Sequence, residues 1–396
     1  VSQEIRLAST DSDFWEYIVG TYYAKKTAST ELLLDRHDTY PGLETYARLI
    51  PKNSEEFGLF SHNTLNFTDA TRLQVGARWQ KVRRFSRFDM DILLDGETVQ
   101  TRIGIPDELD SNSDDVMTGG VKLLHDLSED VMVYASLDSS FRAGGTATAP
   151  RLTENADDLI YGNENSKSVE LGLKSSLWDG RAQLNGAVFY QQFDDYISRM
   201  SDVLVDTDLD GSGDDREHIV FNGDAIIAGA ELDFKLLINE HWILSGGVGY
   251  SDATYDGADI PCDGVEGSYD GVSSIVSCSA DGQRIGGEPN WSASLTSEHV
   301  IALDTVEAYV RGLYKFTDGR GNDNVIDGGV PSYSSFNLYA GVRSNDGNWE
   351  LGAWAKNVLD TEAEIRRYPE ESPGYRKVEV LSERSLGLTA RYNFSL

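Results

Sequence analysis

Residues 206–217 read DTDLDGSGDDRE, and their spacing is that of a calcium loop. Asp206, Asp208, Asp210, Gly211 and Glu217 fall on the first, third, fifth, sixth and last positions of the pattern D-x-D-x-D-G-x5-E. Calcium takes roughly six to eight oxygen ligands. The stretch offers carboxylates from Asp206, Asp208 and Asp210, the carbonyl of Ser212, Asp214 through a water, and Glu217 as a bidentate ligand. Gly211 allows the sharp turn. Carboxylates packed this closely repel one another, which favours a cation among them. The same spacing also suits a solvated acidic loop that holds no ion. The pattern ordinarily joins two helices, yet VLV (203–205) and HIVF (218–221) on either side read as strand.

The chain holds two cysteines, Cys262 and Cys278, both in one Gly/Ser/Asp-rich segment. A disulfide between them is the expected pairing, two free thiols the alternative. A bridge over so short a loop is worth about 3 kcal/mol in the chain-entropy model and implies an oxidising compartment. The six histidines are scattered, with no H-E-x-x-H motif, nucleophile elbow or phosphate loop. No catalytic constellation emerges, and the expectation is a non-enzyme.

The 34 Lys+Arg stand against 66 Asp+Glu, a formal charge of −32. Such a chain repels polyanions, so nucleic acid is not an expected partner. No stretch approaches the roughly 18 apolar residues of a spanning helix, but strands of a membrane barrel alternate and would escape that test.

Alternation is what the chain repeats. Leu386, Leu388, Ala390, Tyr392 and Phe394 share one strand face; Trp242, Leu244, Gly246, Val248 and Tyr250 share another. Val306–Phe316, Trp349–Ala355 and Val169–Leu177 follow the same rule, with Glu, Arg and Lys on the second face. About fifteen strands can be drawn. Short polar turns, such as FTDATR (67–72), HDLSED (125–130), LWDGR (177–181), LINEH (237–241), ALDT (302–305) and SNDGN (344–348), alternate with long connections over about 26–55, 89–115, 143–165, 199–217, 252–289, 317–331 and 361–380. A soluble sandwich has no reason to put every long loop at one end, whereas an outer-membrane barrel does. The fold expected is an all-β, antiparallel transmembrane β-barrel, apolar faces toward lipid and polar faces toward the lumen. Trp242, Tyr250, Tyr314 and Trp349 are candidates for its aromatic girdles.

Several stretches resemble one family, the TonB-dependent receptors of Gram-negative outer membranes. They are SQEIRLAS (2–9) with FWEYIVGTYY (14–23), VYASLDSSFRAGG (133–145), ENSKSVELGLKSSLWDGRAQLNGAVFYQQFDDY (164–196), AGAELDFK (228–235), WELGAWAKNVLDTEAE (349–364) and LGLTARYNF (386–394). Ser140 stands where the family often has Gly. The resemblance implies about 15 strands of a 22-stranded barrel over residues 1–396, with the N-terminal plug, the TonB box and the first strands missing. It also implies outer-membrane lipid as surroundings, coupling to the TonB–ExbB–ExbD system through the missing N-terminal part, and uptake of a ferric siderophore or similar small ligand. The acidic loops disfavour a strongly anionic chelate. Two alternatives stay open: a passive outer-membrane porin, and a secreted calcium-binding β protein.

Overall fold

The computed structural model describes residues 1–10, 12–35, 43–95, 97–103, 111–147, 156–213, 215–265, 268–321, 329–372 and 375–394. The first part of the chain forms β1 (Ser2–Ala8), β2 (Trp15–Asp35), β3 (Leu43–Thr68), β4 (Thr71–Leu94), β5 (Glu97–Ile103), β6 (Ser111–Ser128), β7 (Val131–Arg142), β8 (Gly145–Thr146) and β9 (Ile160–Tyr161). There follow β10 (Glu164–Leu177), β11 (Ala182–Val205), β12 (Asp215–Asn239), β13 (Trp242–Tyr255), β14 (Asp259–Cys262) and β15 (Val276–Ser279). The last are β16 (Trp291–Ala302), β17 (Val306–Thr317), β18 (Tyr333–Ser344), β19 (Trp349–Lys356), β20 (Glu364–Ser372), β21 (Tyr375–Val380) and β22 (Ser385–Tyr392).

Fifteen of these form one wall in the order β1-β2-β3-β4-β6-β7-β10-β11-β12-β13-β16-β17-β18-β19-β22, each antiparallel to its neighbour, with β5 added beside β4. The pairs β8–β9, β14–β15 and β20–β21 are separate two-stranded sheets within connections. The six short turns lie together at one end and the long connections at the other, as the spacing predicts. Several long connections are shorter than the sequence suggests. Most of 26–55 is strand, because β2 and β3 run 21 and 26 residues. Likewise 199–217 shrinks to a tip, because β11 ends at Val205 and β12 starts at Asp215.

The register carries the alternation across the whole wall. Along one row, Leu123 faces Ala135, Ala135 faces Leu171, Leu171 faces Val188, Val188 faces Ala230, and Ala230 faces Tyr250. Further on, Gly312 faces Leu338, Leu338 faces Ala355, and Ala355 faces Leu386. This face is apolar and open: Leu171 is 53% exposed, Val188 53% and Leu388 86%. A surface so large and contiguous would not persist in water; it needs lipid. The four aromatics singled out from the sequence occupy this face. Tyr250 stacks with Trp291 at 4.7 Å between ring centroids, and Trp349 faces Tyr392. Trp242 and Tyr250 are eight residues apart, about 26 Å along a strand, which suits the two rims of an apolar band.

The opposite face is polar and internally paired. Arg78 meets Glu56, Arg311 meets Glu298, Arg343 meets Glu307, and Arg391 meets Glu350. The hydroxyls of Tyr134 and Tyr309 donate to Glu170 and Glu350. Rings on this face lie over glycines of the next strand. A Cβ at Gly172 would fall 2.3 Å from Tyr134 Cζ, and one at Gly387 2.1 Å from Trp354 Cζ2. Only glycine permits so close an approach.

Dry cores lie elsewhere, at the long-connection end. Leu159, Val203, Val205 and Ile219 form one, and Tyr255, Ala258, Ile260 and Ala280 another, with Met200 packing against both. Burying an aliphatic side chain of this size contributes about 1.5–3 kcal/mol. These residues come from three connections, which therefore close into a cap.

Candidate functional site: the acidic tip and the cap around it

The tip between β11 and β12 holds the calcium-like stretch. Carboxylate oxygens of Asp206, Asp208 and Asp210 all lie within 4.8 Å of one another. Asp206 is fully buried while Asp208 and Asp210 are exposed. The turn is tight because Leu209 and Gly211 take positive φ, 59° and 94°. Backbone amides answer part of the negative charge: Asp210 N and Gly211 N donate to the two oxygens of Asp206 at 3.1 and 2.8 Å, and Ser212 N donates to Asp210 at 2.9 Å.

The structure brings three of the six predicted ligands together by their side chains. Glu217 is not in that group, since it sits on β12 opposite Val203. In a helix-flanked loop the last position curls back over the ion; in an extended strand it is carried away along the ladder. Ser212 lies in the turn, in line with a carbonyl role, and Asp214 is outside the described residues. The donor chemistry of the three aspartates fits a hard cation with an incomplete protein shell.

The cap fixes this tip on every side. Asp206 N donates to Ser274 O at 3.0 Å, and Ser274 N donates to Asp158 at 2.8 Å. Leu204 N donates to Asp263, which also pairs with Arg216 at 3.0 Å. Tyr269 hydroxyl donates to Leu204 O at 3.0 Å. Burial pushes the Tyr269 phenol up, and amides of Ser273 and Val272 hold the Asp270 carboxyl below its ordinary value. Cys262 and Cys278 are joined, with Cα atoms 5.8 Å apart. They sit diagonally on the β14–β15 hairpin, Cys262 opposite Val276 and Cys278 opposite Ile260. The bridge encloses residues 263–277 and with them the strap that grips Asp206.

Comparison with known proteins turns this geometry into a family. Residues 4–358 match the model described as TonB dependent receptor-like, beta-barrel, so the chain belongs to that family. Its members are receptors and transporters of Gram-negative outer membranes, not enzymes. Among solved structures, the ferric yersiniabactin uptake receptor FyuA from Yersinia pestis is similar at TM-score 0.74 and 16% identity, over 100% of this chain and 54% of that one. The siderophore receptor PiuA from Acinetobacter baumannii is similar at TM-score 0.64 and 16% identity, over 98% and 55%. The copper transporter OprC gives TM-score 0.67 and 15% identity, over 99% and 56%. Identities this low establish the fold alone. The chain spans about half the length of these proteins. A search of curated proteins finds no match.

Proposed function

We propose that this chain forms much of the wall and the extracellular cap of an outer-membrane receptor that imports a ferric chelate. The observation that carries this reading is the sidedness of the wall: an open apolar face backed by a paired polar one, with the long connections at one end and three of them closed into a cap. In this reading lipid contacts the apolar face, and the polar face surrounds the import path. The TonB–ExbB–ExbD system supplies the energy. The receptors for ferric yersiniabactin and other siderophores among the similar structures support the ligand class. A copper complex is the second reading, supported by the comparable likeness to OprC.

The test is uptake. Deleting the encoding gene in its bacterium should lower accumulation of radiolabelled iron from at least one class of chelate under iron starvation. Loss of copper accumulation instead would transfer the assignment to copper, and unchanged accumulation of both metals would refute the reading.

The acidic tip is proposed as a weak calcium site, supported by three converging carboxylates and a backbone already bent around them. Extracellular modules of this kind bind calcium at about 0.1–1 mM. Calorimetric titration of the chain with calcium should give one event of that strength, lost in Asp206→Asn; no heat in the unsubstituted chain removes the site.

A further inference from the structure

Most arginines on the polar face of this acidic chain sit against a carboxylate, and two in the extracellular connections do not. Arg284 lies between β15 and β16, bridged to Thr254 near the end of β13; Arg320 lies between β17 and β18, bridged to Val330. Among the described residues, neither has a carboxylate oxygen within 4.0 Å, whereas Arg142 and Arg216 in the same end of the molecule each have one.

Their guanidinium groups converge on one turn. Arg284 Nη2 reaches Glu288 O at 3.4 Å, and Arg320 Nη1 reaches the adjacent Gly287 O at 3.5 Å. A Cβ built on Gly321, the residue after Arg320, would lie 3.9 Å from Arg284 Nη1. Both carbonyl contacts are exposed and at the outer limit of a hydrogen bond, so the carbonyls hold the two guanidinium groups only weakly, although Arg284 Nη2 also donates to Asn290. Inward, the Nε donors of both arginines are buried and have no acceptor among the described residues. Asn290 stands between Arg284 and the carboxylate of Asp252: its Oδ1 accepts from Arg284 and its Nδ2 donates to Asp252 at 3.4 Å. Two cations held over one turn repel each other, and nothing among the described residues neutralises them.

We propose that Arg284 and Arg320 form an anion-binding site that takes one oxyanion group, carboxylate or phosphate, of a ligand arriving from the long-connection side. The guanidinium fork matches the paired oxygens of such a group, and charge-assisted hydrogen bonds are the strong kind. An oxyanion against the Nη edges would replace two marginal carbonyl contacts and cancel the repulsion. The proposal refines the receptor reading and rests on it: the surrounding field of a chain at −32 disfavours polyanions, so the site selects a chelate of low net charge that carries one accessible acidic group.

Titration calorimetry of the folded chain in neutral detergent tests it, with citrate and inorganic phosphate as separate probes. Arg284→Gln and Arg320→Gln should each weaken binding about tenfold or more, while Arg83→Gln, an exposed arginine on β4, should leave it unchanged. Arg284→Lys should recover part of the loss by restoring charge without the fork. Raising salt should weaken binding in the unsubstituted chain. Heat-modifiable migration on gels checks that each variant is folded, and Arg320→Lys stands in should Arg320→Gln fail that check. Response to citrate alone or phosphate alone narrows the oxyanion and keeps the site. No binding of either, or equal binding in both glutamine variants, overturns it. Unchanged metal uptake on deletion of the gene, with arginine-dependent binding intact, would strike the receptor reading and spare this site; the expected binding defects in the variants with normal uptake of every chelate would strike only its role in import.

Discussion

The wall and the cap use the same aliphatic residues with opposite sidedness. On the wall, Leu171 and Val188 point away from the protein; in the cap, Leu159 and Val205 point into it and have 0% exposure. The difference lies in the solvent each region meets. Lipid tails are as apolar as leucine, so the wall gains nothing by burying its leucines against one another and is held by a continuous ladder of backbone hydrogen bonds from strand to strand. The cap stands in water and must build a dry interior from whatever its connections provide. One chain thus contains two folding economies, and substitutions should separate them.

The largest effect is expected from Leu159→Ala, which opens a cavity in the cap core and should cost about 2–5 kcal/mol of local stability. Hydrogen exchange should accelerate across residues 199–213 and 269–280 while the wall stays protected; equal acceleration in the wall would mean the two regions melt as one. Leu171→Arg, on the wall, should cost about 2–4 kcal/mol in a bilayer through its depth in hydrocarbon. Leu171→Ala should cost far less, and reversible unfolding in lipid reads both; a large penalty for the alanine would show that the wall packs like a core.

Removing the disulfide with Cys262→Ser and Cys278→Ser should cost about 3 kcal/mol, confined to the cap, with protease cutting within 263–277 as the readout. The smallest effect is with pH. Asp270 has a lowered carboxyl value in the folded chain, so its contribution is complete above the ordinary aspartate value of 3.8 and fades as pH falls through its own lower value. Cap exchange rates should therefore rise only below about pH 4, and Asp270→Asn should remove that step.

The wall was legible in the sequence because a face that meets hydrocarbon must alternate, and the chain writes that rule in Leu386–Phe394 and Trp242–Tyr250 alike. Beyond the lipid the rule lapses. That is why the upper halves of β2, β3, β11 and β12 look like loop: strands in water can carry Lys25, Lys26, Glu55 and Glu56 on either face. The cap core was hidden for another reason. Leu159, Val205, Ile260 and Ala280 sit in four polar stretches, each too short to announce an element, and only the fold brings them together. Of the acidic tip, the spacing picks out three aspartates that do come together, while Glu217 lies outside their group because a strand does not curl as a helix does. Arg284 and Arg320 carry no signal at all, being 36 residues apart with no motif between them.

The aromatic rings that lie over Gly172 and Gly387 bear on the width of the interior. A tyrosine or tryptophan standing upright would reach far into the bore; laid flat on a neighbour that has no side chain, it adds little more than the thickness of a ring. At these two positions the polar face of the wall stays close to flush with its backbone.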